Sequence, residues 1–139
     1  MKKPNWYIKE YKIADIKELA KNPRNLTQKA KNDIKKSLDR FGLIDKPIIN
    51  TDGQLIGGHQ RLHVLHDEGV EKVECWTPDR KLKEKEVEEL NIRLNKNTAT
   101  WDFDILANDW DIDLLKEWGF DEKERYPIVT GKQIGRAHV

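Results

Sequence analysis

The 139 residues are 37% hydrophobic and 37% charged, with a mean hydropathy of −0.86: a polar chain of one-domain length, whose modest core is supported by 5 Trp, 3 Tyr and 3 Phe. No segment approaches the ~18 apolar residues of a membrane span and no apolar stretch follows Lys2 and Lys3, so neither a spanning helix nor a secretory signal is expected. The lone Cys75 allows no internal disulfide and no cysteine-based zinc site, which points to a reducing, cytoplasmic setting; the formal charge of +1 hides 13 Lys/Arg against 6 Asp/Glu in residues 1–50 and 13 against 19 thereafter, so only the first part of the chain is suited to face phosphates.

Tyr11-Lys12-Ile13, followed by Ile16 and Leu19, predicts a short first strand and a turn, and Asn22-Pro23-Arg24-Asn25 a loop. Thr27 is the expected N-cap of a first helix. Its Ala30, Ile34, Leu38 and Phe41 recur three and four residues apart as an apolar stripe, with lysines opposite and Gly42 as the C-terminal cap. Pro47-Ile48-Ile49-Asn50 and Gln54-Leu55-Ile56 flank the turn signal Asp52-Gly53 and read as two antiparallel strands. Gly57-Gly58 then leads into a helix of about three turns that carries Leu62 and Leu65, reaches Glu68 and is closed by Gly69. A strand follows over Val70, Val73 and Cys75-Trp76.

Residues 81–100 form what reads as the longest helix, with Val87, Leu90, Ile92 and Leu94 apolar and Glu–Lys pairs on the exposed face. From Trp101 to Phe120, aromatic and aliphatic residues are spread among aspartates. One or two short helices are expected there, ending near Gly119, with Trp101, Trp110 and Trp118 at core-like spacing. No internal repeat and no low-complexity segment is present.

The strongest chemical signal is Leu55-Ile56-Gly57-Gly58-His59-Gln60-Arg61, a strand that passes through two glycines directly into a helix. Glycines admit close approach of a ligand to the backbone, helix N-terminal amides point outward, and Arg61 in the first turn adds a bidentate contact to phosphate. The same pattern also serves as a plain tight turn. In Asn22-Pro23-Arg24-Asn25 a rigid proline holds Arg24 and the amides of Asn22 and Asn25 toward a shared ligand, or the loop is a solvated helix entry. Asn91-Ile92-Arg93-Leu94-Asn95-Lys96-Asn97 mixes amides and cations and reads, on period alone, as a solvated face. His59, His63, His66 and Asp67 complete no known ligand pattern; the histidines read as surface or phosphate-contacting groups, and no metal site is assigned. Cys75, within a strand and without a neighbouring base, reads as a packing residue.

In order and spacing these pieces resemble the ParB/sulfiredoxin-like domain, the N-terminal domain of ParB partition proteins, which also occurs beside DNA methyltransferases and in mobile elements. Asn22-Pro23-Arg24-Asn25 stands where the family has its Asn-Pro-x-x-Pro-Arg loop. Ile34-Lys35-Lys36-Ser37-Leu38 and Phe41-Gly42-Leu43-Ile44-Asp45-Lys46-Pro47-Ile48-Ile49 are similar to its segment ending in Gly-Leu-Ile-x-Pro-Ile, and Ile56-Gly57-Gly58-His59-Gln60-Arg61 to its Gly-Glu-Arg-Arg box. The likeness covers about residues 11–100. The Gly-His-Gln-Arg variant, with Arg93 to Asn97 and Trp101-Asp102, looks most like the group found with methyltransferases.

The resemblance implies an α+β fold, a small mixed sheet with helices packed on it over residues 8–100, followed by an acidic-aromatic helical extension packed on it over 101–125; residues 126–139, with two glycines and no clear period, read as a linker or expression remnant. It implies a nucleoside triphosphate, CTP or ATP with magnesium, whose phosphates lie on Gly57, Gly58, His59, Gln60 and Arg61 with Arg24 facing them. Asn22, Asn25, Asn95 and Asn97 would close the pocket. DNA is the implied partner of the basic residues 1–50, with a DNA methyltransferase and a second copy of the chain as further partners. Departures also carry information. His59 stands where sulfiredoxins keep a cysteine, which argues against sulfinic-acid reduction; Gln60 replaces one arginine of the family's pair; and the residues that remain have no room for the helix-turn-helix domain of partition proteins.

Three readings of function follow. The first is a nucleotide-binding module of DNA transactions. The second is a magnesium-dependent nuclease or a phosphotransferase, with His59 or Asp67 as catalytic base and Asp45, Asp52 and Asp67 as the nearest acids. The third is a docking domain with a vestigial nucleotide site, in which Trp101 to Phe120 is the surface.

Overall fold

A long edge strand opens the structure. In the computed structural model, which describes residues 2–18, 27–96 and 100–120, β1 (Trp6–Lys12) pairs antiparallel with β4 (Lys72–Pro78) along all seven residues of each, from Trp6 opposite Pro78 to Lys12 opposite Lys72. β4 lies parallel to β2 (Ile48–Ile49), and β2 is antiparallel to β3 (Leu55–Gly57), giving the order β1-β4-β2-β3 in a mixed sheet. The hairpin between β2 and β3 turns at Gly53, where φ is +89°. β1 is longer than the expected strand beginning at Tyr11. Its side chains are mostly exposed, so it lacks the apolar alternation that marks a half-buried strand, and its length is set by pairing with β4.

In β4 the alternation is plain: Val73, Cys75 and Thr77 are buried while Lys72, Glu74 and Trp76 are exposed. Leu55 and Ile56, adjacent in β3, belong to two different clusters. Leu55 packs with Ile13, Ile49, Val73, Cys75 and Leu62 of α2 (His59–Asp67), whereas Ile56 packs with Leu82 and with Val87 of α3 (Glu84–Lys96). The sheet is therefore covered on both faces near β3, by α2 on one side and α3 on the other. Cys75 is fully buried and its thiol is pushed up to about 12 by burial, in keeping with a packing role.

Thr27 caps α1 (Gln28–Phe41) by accepting a hydrogen bond from the Ala30 amide at 3.1 Å, and Gly42 closes it. The apolar stripe of α1 is only half-buried, and Phe41 at its end is exposed. Residues 81–100 are helical from Glu84 and not from Lys81, with 13 described residues in α3 up to Lys96 against 14 in α1. The reason is local. Leu82 is held in an extended segment by buried Asn50, whose side chain accepts from the Leu82 amide and donates to the Leu82 carbonyl, both at 3.0 Å, so the helix begins at Glu84. Glu86 secures that start: its carboxylate accepts from the Lys83 amide at 3.0 Å and pairs with Arg80 through two contacts of 3.1 and 2.9 Å.

The chain divides into two compact units between Thr98 and Ala99. In the second, Asp102 caps α4 (Phe103–Asp109) and Asp111 caps α5 (Ile112–Glu117), and Leu106, Ala107 and Leu115 form a core with Phe103, Ile112 and Phe120 against it. The tryptophans do not follow the expectation of a core role: Trp101, Trp110 and Trp118 are 63%, 47% and 58% exposed. The two aspartate caps fix the helical phase, which turns Leu106 and Leu115 inward and leaves the tryptophans at or beyond the helix ends. Among the described residues no helix is long and apolar enough to cross a membrane.

The Arg80 guanidinium, followed by the Lys83 amide, holds the Glu86 carboxyl down at about 2 against an ordinary value of 4.5. A depressed carboxyl stabilises the fold above its ordinary value, and that contribution is lost as pH falls through the folded-state value. Between pH 4.5 and 2, wild type is therefore expected to lose stability more steeply than Glu86→Gln, read as denaturation midpoint against pH. Parallel curves would contradict this role for Glu86.

Candidate phosphate-binding site

The turn from β3 into α2 sits on a proline. Gly58, the N-cap of α2, has φ +86°, in the left-handed region, and a Cβ there would stand 2.9 Å from the Cα of Pro47. Pro47 is itself fixed, since it is buried and its carbonyl accepts from the Trp76 amide of β4 at 2.9 Å. Glycine at 58 thus meets two requirements at once, the backbone angle and the close approach. The Gly58 carbonyl accepts from the Leu62 amide at 3.0 Å and starts the helix. Gly58 has no side chain with which to cap α2, and the first turn carries no acid. Such an end, with its partial positive charge, suits an anion.

A second support comes from α3. Asn91 is buried and its Nδ2 donates to the carbonyl of Ile56 at 2.8 Å, the residue just before the two glycines. Asn95, one turn on, donates from its Nδ2 to the Asn91 carbonyl at 2.7 Å. The Asn91 bond ties the end of β3 to α3, and the Asn95 bond lies within α3 itself.

Around this turn lies a pocket of about 240 Å³, lined by Gly57, Gly58, His59, Gln60 and Arg61, by Asp45, Lys46 and Ile48 ahead of and within β2, and by Ile34, Asn91, Leu94 and Asn95 from two helices. That is below the ~300–1,000 Å³ of pockets that bury a whole drug-sized ligand, so it accommodates the charged part of one. The charged side chains among these residues are Lys46, Arg61 and Asp45, with Arg61 Nη2 paired to Asp45 Oδ2 at 2.9 Å. His59 lies in the pocket wall, buried.

The structure thus gathers Gly57, Gly58, His59, Gln60, Arg61 and Asn95 into one site. Asn22, Arg24, Asn25 and Asn97 lie outside the described residues. Asp67 does not join: it ends α2, paired with Lys31 and with His66, and both contacts hold its carboxyl below the usual range, the Lys31 hydrogen bond first. The three acids weighed for metal chemistry are in separate places, Asp45 in the pocket, Asp52 in the hairpin turn accepting from the Gln54 amide, and Asp67 beside α1. The histidines are likewise dispersed, His63 paired with Glu18 at 2.8 Å and His66 with Asp67 at 3.5 Å. Among the described residues no group of three or more His, Cys, Asp and Glu is placed to hold a metal.

Sequence reasoning treated Asn91 as part of a solvated face, and this is corrected by its burial. A signal existed, because Asn91 lies four residues after buried Val87 and so shares its helix face. Arg93 and Lys96 on the same helix are exposed, as expected. Lys46 gave no signal as a pocket residue and Asp45 appeared only among three acids weighed for metal chemistry; the fold of the loop onto Gly58 brings both there.

Two substitutions test this construction. Gly58→Ala is expected to destabilise the fold by about 1–3 kcal/mol from the backbone angle alone, with the Pro47 contact adding to that. Asn91→Ala leaves the Ile56 carbonyl buried without its donor and is expected to cost about 1–3 kcal/mol. Chemical denaturation checks both, and wild-type midpoints would contradict the account.

No protein-family model and no curated protein matches the sequence. Solved structures do. A pNOB8-like ParB N-domain matches with a TM-score of 0.59 at 21% identity, over 84% of this chain and 49% of that one. A further structure of the pNOB8-like ParB N-domain gives 0.59 at 21% identity, over 84% of this chain and 45% of that one. The C-terminally truncated chromosome-partitioning protein ParB from Caulobacter crescentus, solved in complex with CTP-gamma-S, gives 0.63 at 20% identity, over 90% of this chain and 71% of that one. This chain therefore spans about half the length of the pNOB8-like proteins, and its fold is that of the ParB N-terminal domain.

Proposed function

We propose that this chain is a ParB-like nucleotide-binding module of DNA transactions, which holds a nucleoside triphosphate by its phosphates at the turn from Gly57 to Arg61. The observation that carries the reading is the seating of Gly58 on Pro47, which sets the start of α2, with no capping side chain, in the wall of a pocket that also contains Arg61 and Lys46. Backbone amides at the helix start donate to phosphate oxygens, the absent Cβ of Gly58 lets them approach, and the Arg61 fork and Lys46 neutralise charge. The Caulobacter ParB of the same fold was solved with CTP-gamma-S, which supports a nucleotide as the ligand class. CTP and ATP are the candidate nucleotides. A magnesium ion fits through phosphate oxygens and one carboxylate, and Asp45 is the acid among the described lining residues that would hold it.

The module's setting belongs to the same proposal. Residues 1–50, with their excess of basic over acidic side chains, lie toward DNA, and the protein accompanies a DNA methyltransferase or a mobile-element system in the cytoplasm, with homodimers as its working form. On α1 part of that charge is met, since Lys29 and Lys35 pair with Asp33 and Asp39 of the same helix and Lys31 with Asp67 of α2. The docking reading is favoured by one observation, the exposure of Trp101, Trp110 and Trp118 together with Ile105 and Leu114 in the second unit.

Titration of the protein with CTP, ATP and GTP in the presence of magnesium, followed by calorimetry, tests the reading. Saturable binding of at least one nucleotide is expected, weakened about 10–100-fold in Arg61→Ala by loss of charged hydrogen bonds, while the variant stays folded. Absence of binding, or equal affinity in the variant, would overturn it.

A further inference from the structure

Arg61 already has an anion. Its Nη2 meets Asp45 Oδ2 at 2.9 Å at the mouth of the pocket. The two residues are placed by one contact: Asp45 lies two positions before Pro47, Arg61 three positions after Gly58, and Pro47 and Gly58 touch. The Asp45 side chain is 76% exposed and that of Arg61 39%, so the carboxylate stands largely in water and its release from Arg61 is cheap, as it is for exposed ion pairs generally. A polyphosphate brings several charges and paired acceptor oxygens to the same guanidinium.

We propose that Asp45 is a built-in competitor of the pocket, a carboxylate that occupies Arg61 in place of a phosphate and biases the site toward polyvalent anions. The proposal rests on the reading that the Gly57–Arg61 turn takes nucleotide phosphate. Monovalent anions and carboxylates of small metabolites meet an Arg61 already paired to an anion of equal charge, whereas a triphosphate displaces Asp45. Lys46, the neighbouring cation of the pocket, then lies beside both the displaced carboxylate and the incoming phosphate.

Four proteins decide it by calorimetry at low salt: wild type, Asp45→Asn, Arg61→Ala, and Asp45→Asn combined with Arg61→Ala, the last compared with Arg61→Ala alone. The probes are CTP, ATP, GTP and inorganic triphosphate, without divalent cation. Asp45→Asn, which keeps the side-chain shape and removes the charge, is expected to bind the preferred probe about two- to fivefold more tightly than wild type, and the gain should shrink as salt is raised. In the Arg61→Ala background the same substitution should bring no gain, because the competition acts through Arg61. A gain that persists there would assign the effect to general charge repulsion and overturn the competitor. Equal or weaker binding by Asp45→Asn, with wild type binding normally, would overturn the competitor and leave the phosphate pocket standing. Binding by Asp45→Asn where wild type shows none would support it, and binding by neither protein to any probe would overturn both readings.

Discussion

The pocket is organised around the contact between Gly58 and Pro47. Pro47 is anchored to β4 by its carbonyl, so the sheet fixes where the proline stands, and the missing Cβ at 58 lets the β3–α2 turn close onto it. Three consequences follow from that spacing. α2 starts directly at the end of a strand, its N-cap offers no side chain to the opening turn, and the loop that carries Asp45 and Lys46 is brought beside Arg61. A side chain at 58 would separate these parts by pushing backbone against backbone, where little relaxation is available.

Two buried asparagines complete the frame from the other face of the sheet. Asn50 binds Leu82 through both ends of its amide, and Asn91 meets the Ile56 carbonyl, so the segment before α3 and α3 itself are attached to β2 and β3 by directed bonds as well as by the Ile56–Leu82–Val87 cluster. Apolar packing alone would leave α3 free to slide along β3. The hydrogen bonds fix the register, and with it the positions of Leu94 and Asn95 in the pocket wall. The site's charge balance is then set by exposed groups, Arg61, Lys46 and Asp45, which a ligand can rearrange without disturbing the core.

Much of this was legible in the sequence because it is written in local rules. Thr27 and Gly42 bound α1, Asp52-Gly53 marks the hairpin, and Gly57-Gly58 between a β run and a helical pattern locates the turn; each is a statement about a few neighbouring residues. The order of those signals also led to the fold. What escaped depends on partners far along the chain. Asn50 and Leu82 are 32 residues apart and Asn91 and Ile56 35, so neither amide's partner could be named from its surroundings in sequence, although the spacing of Asn91 from Val87 placed it on the inner face of α3. The full length of β1 is likewise a property of β4, and the tryptophans of the second unit were misjudged because aspartate caps, rather than aromatic spacing, set the helical phase there.

The central claim is that phosphate is bound by the amides at the start of α2. Amide chemical shifts of the isotopically labelled protein, followed by NMR during titration with CTP or ATP and magnesium, test it most directly. The account predicts that the amides of Gly58, His59, Gln60 and Arg61 shift most and saturate together with one affinity. Saturable nucleotide binding with these four amides unmoved would contradict it.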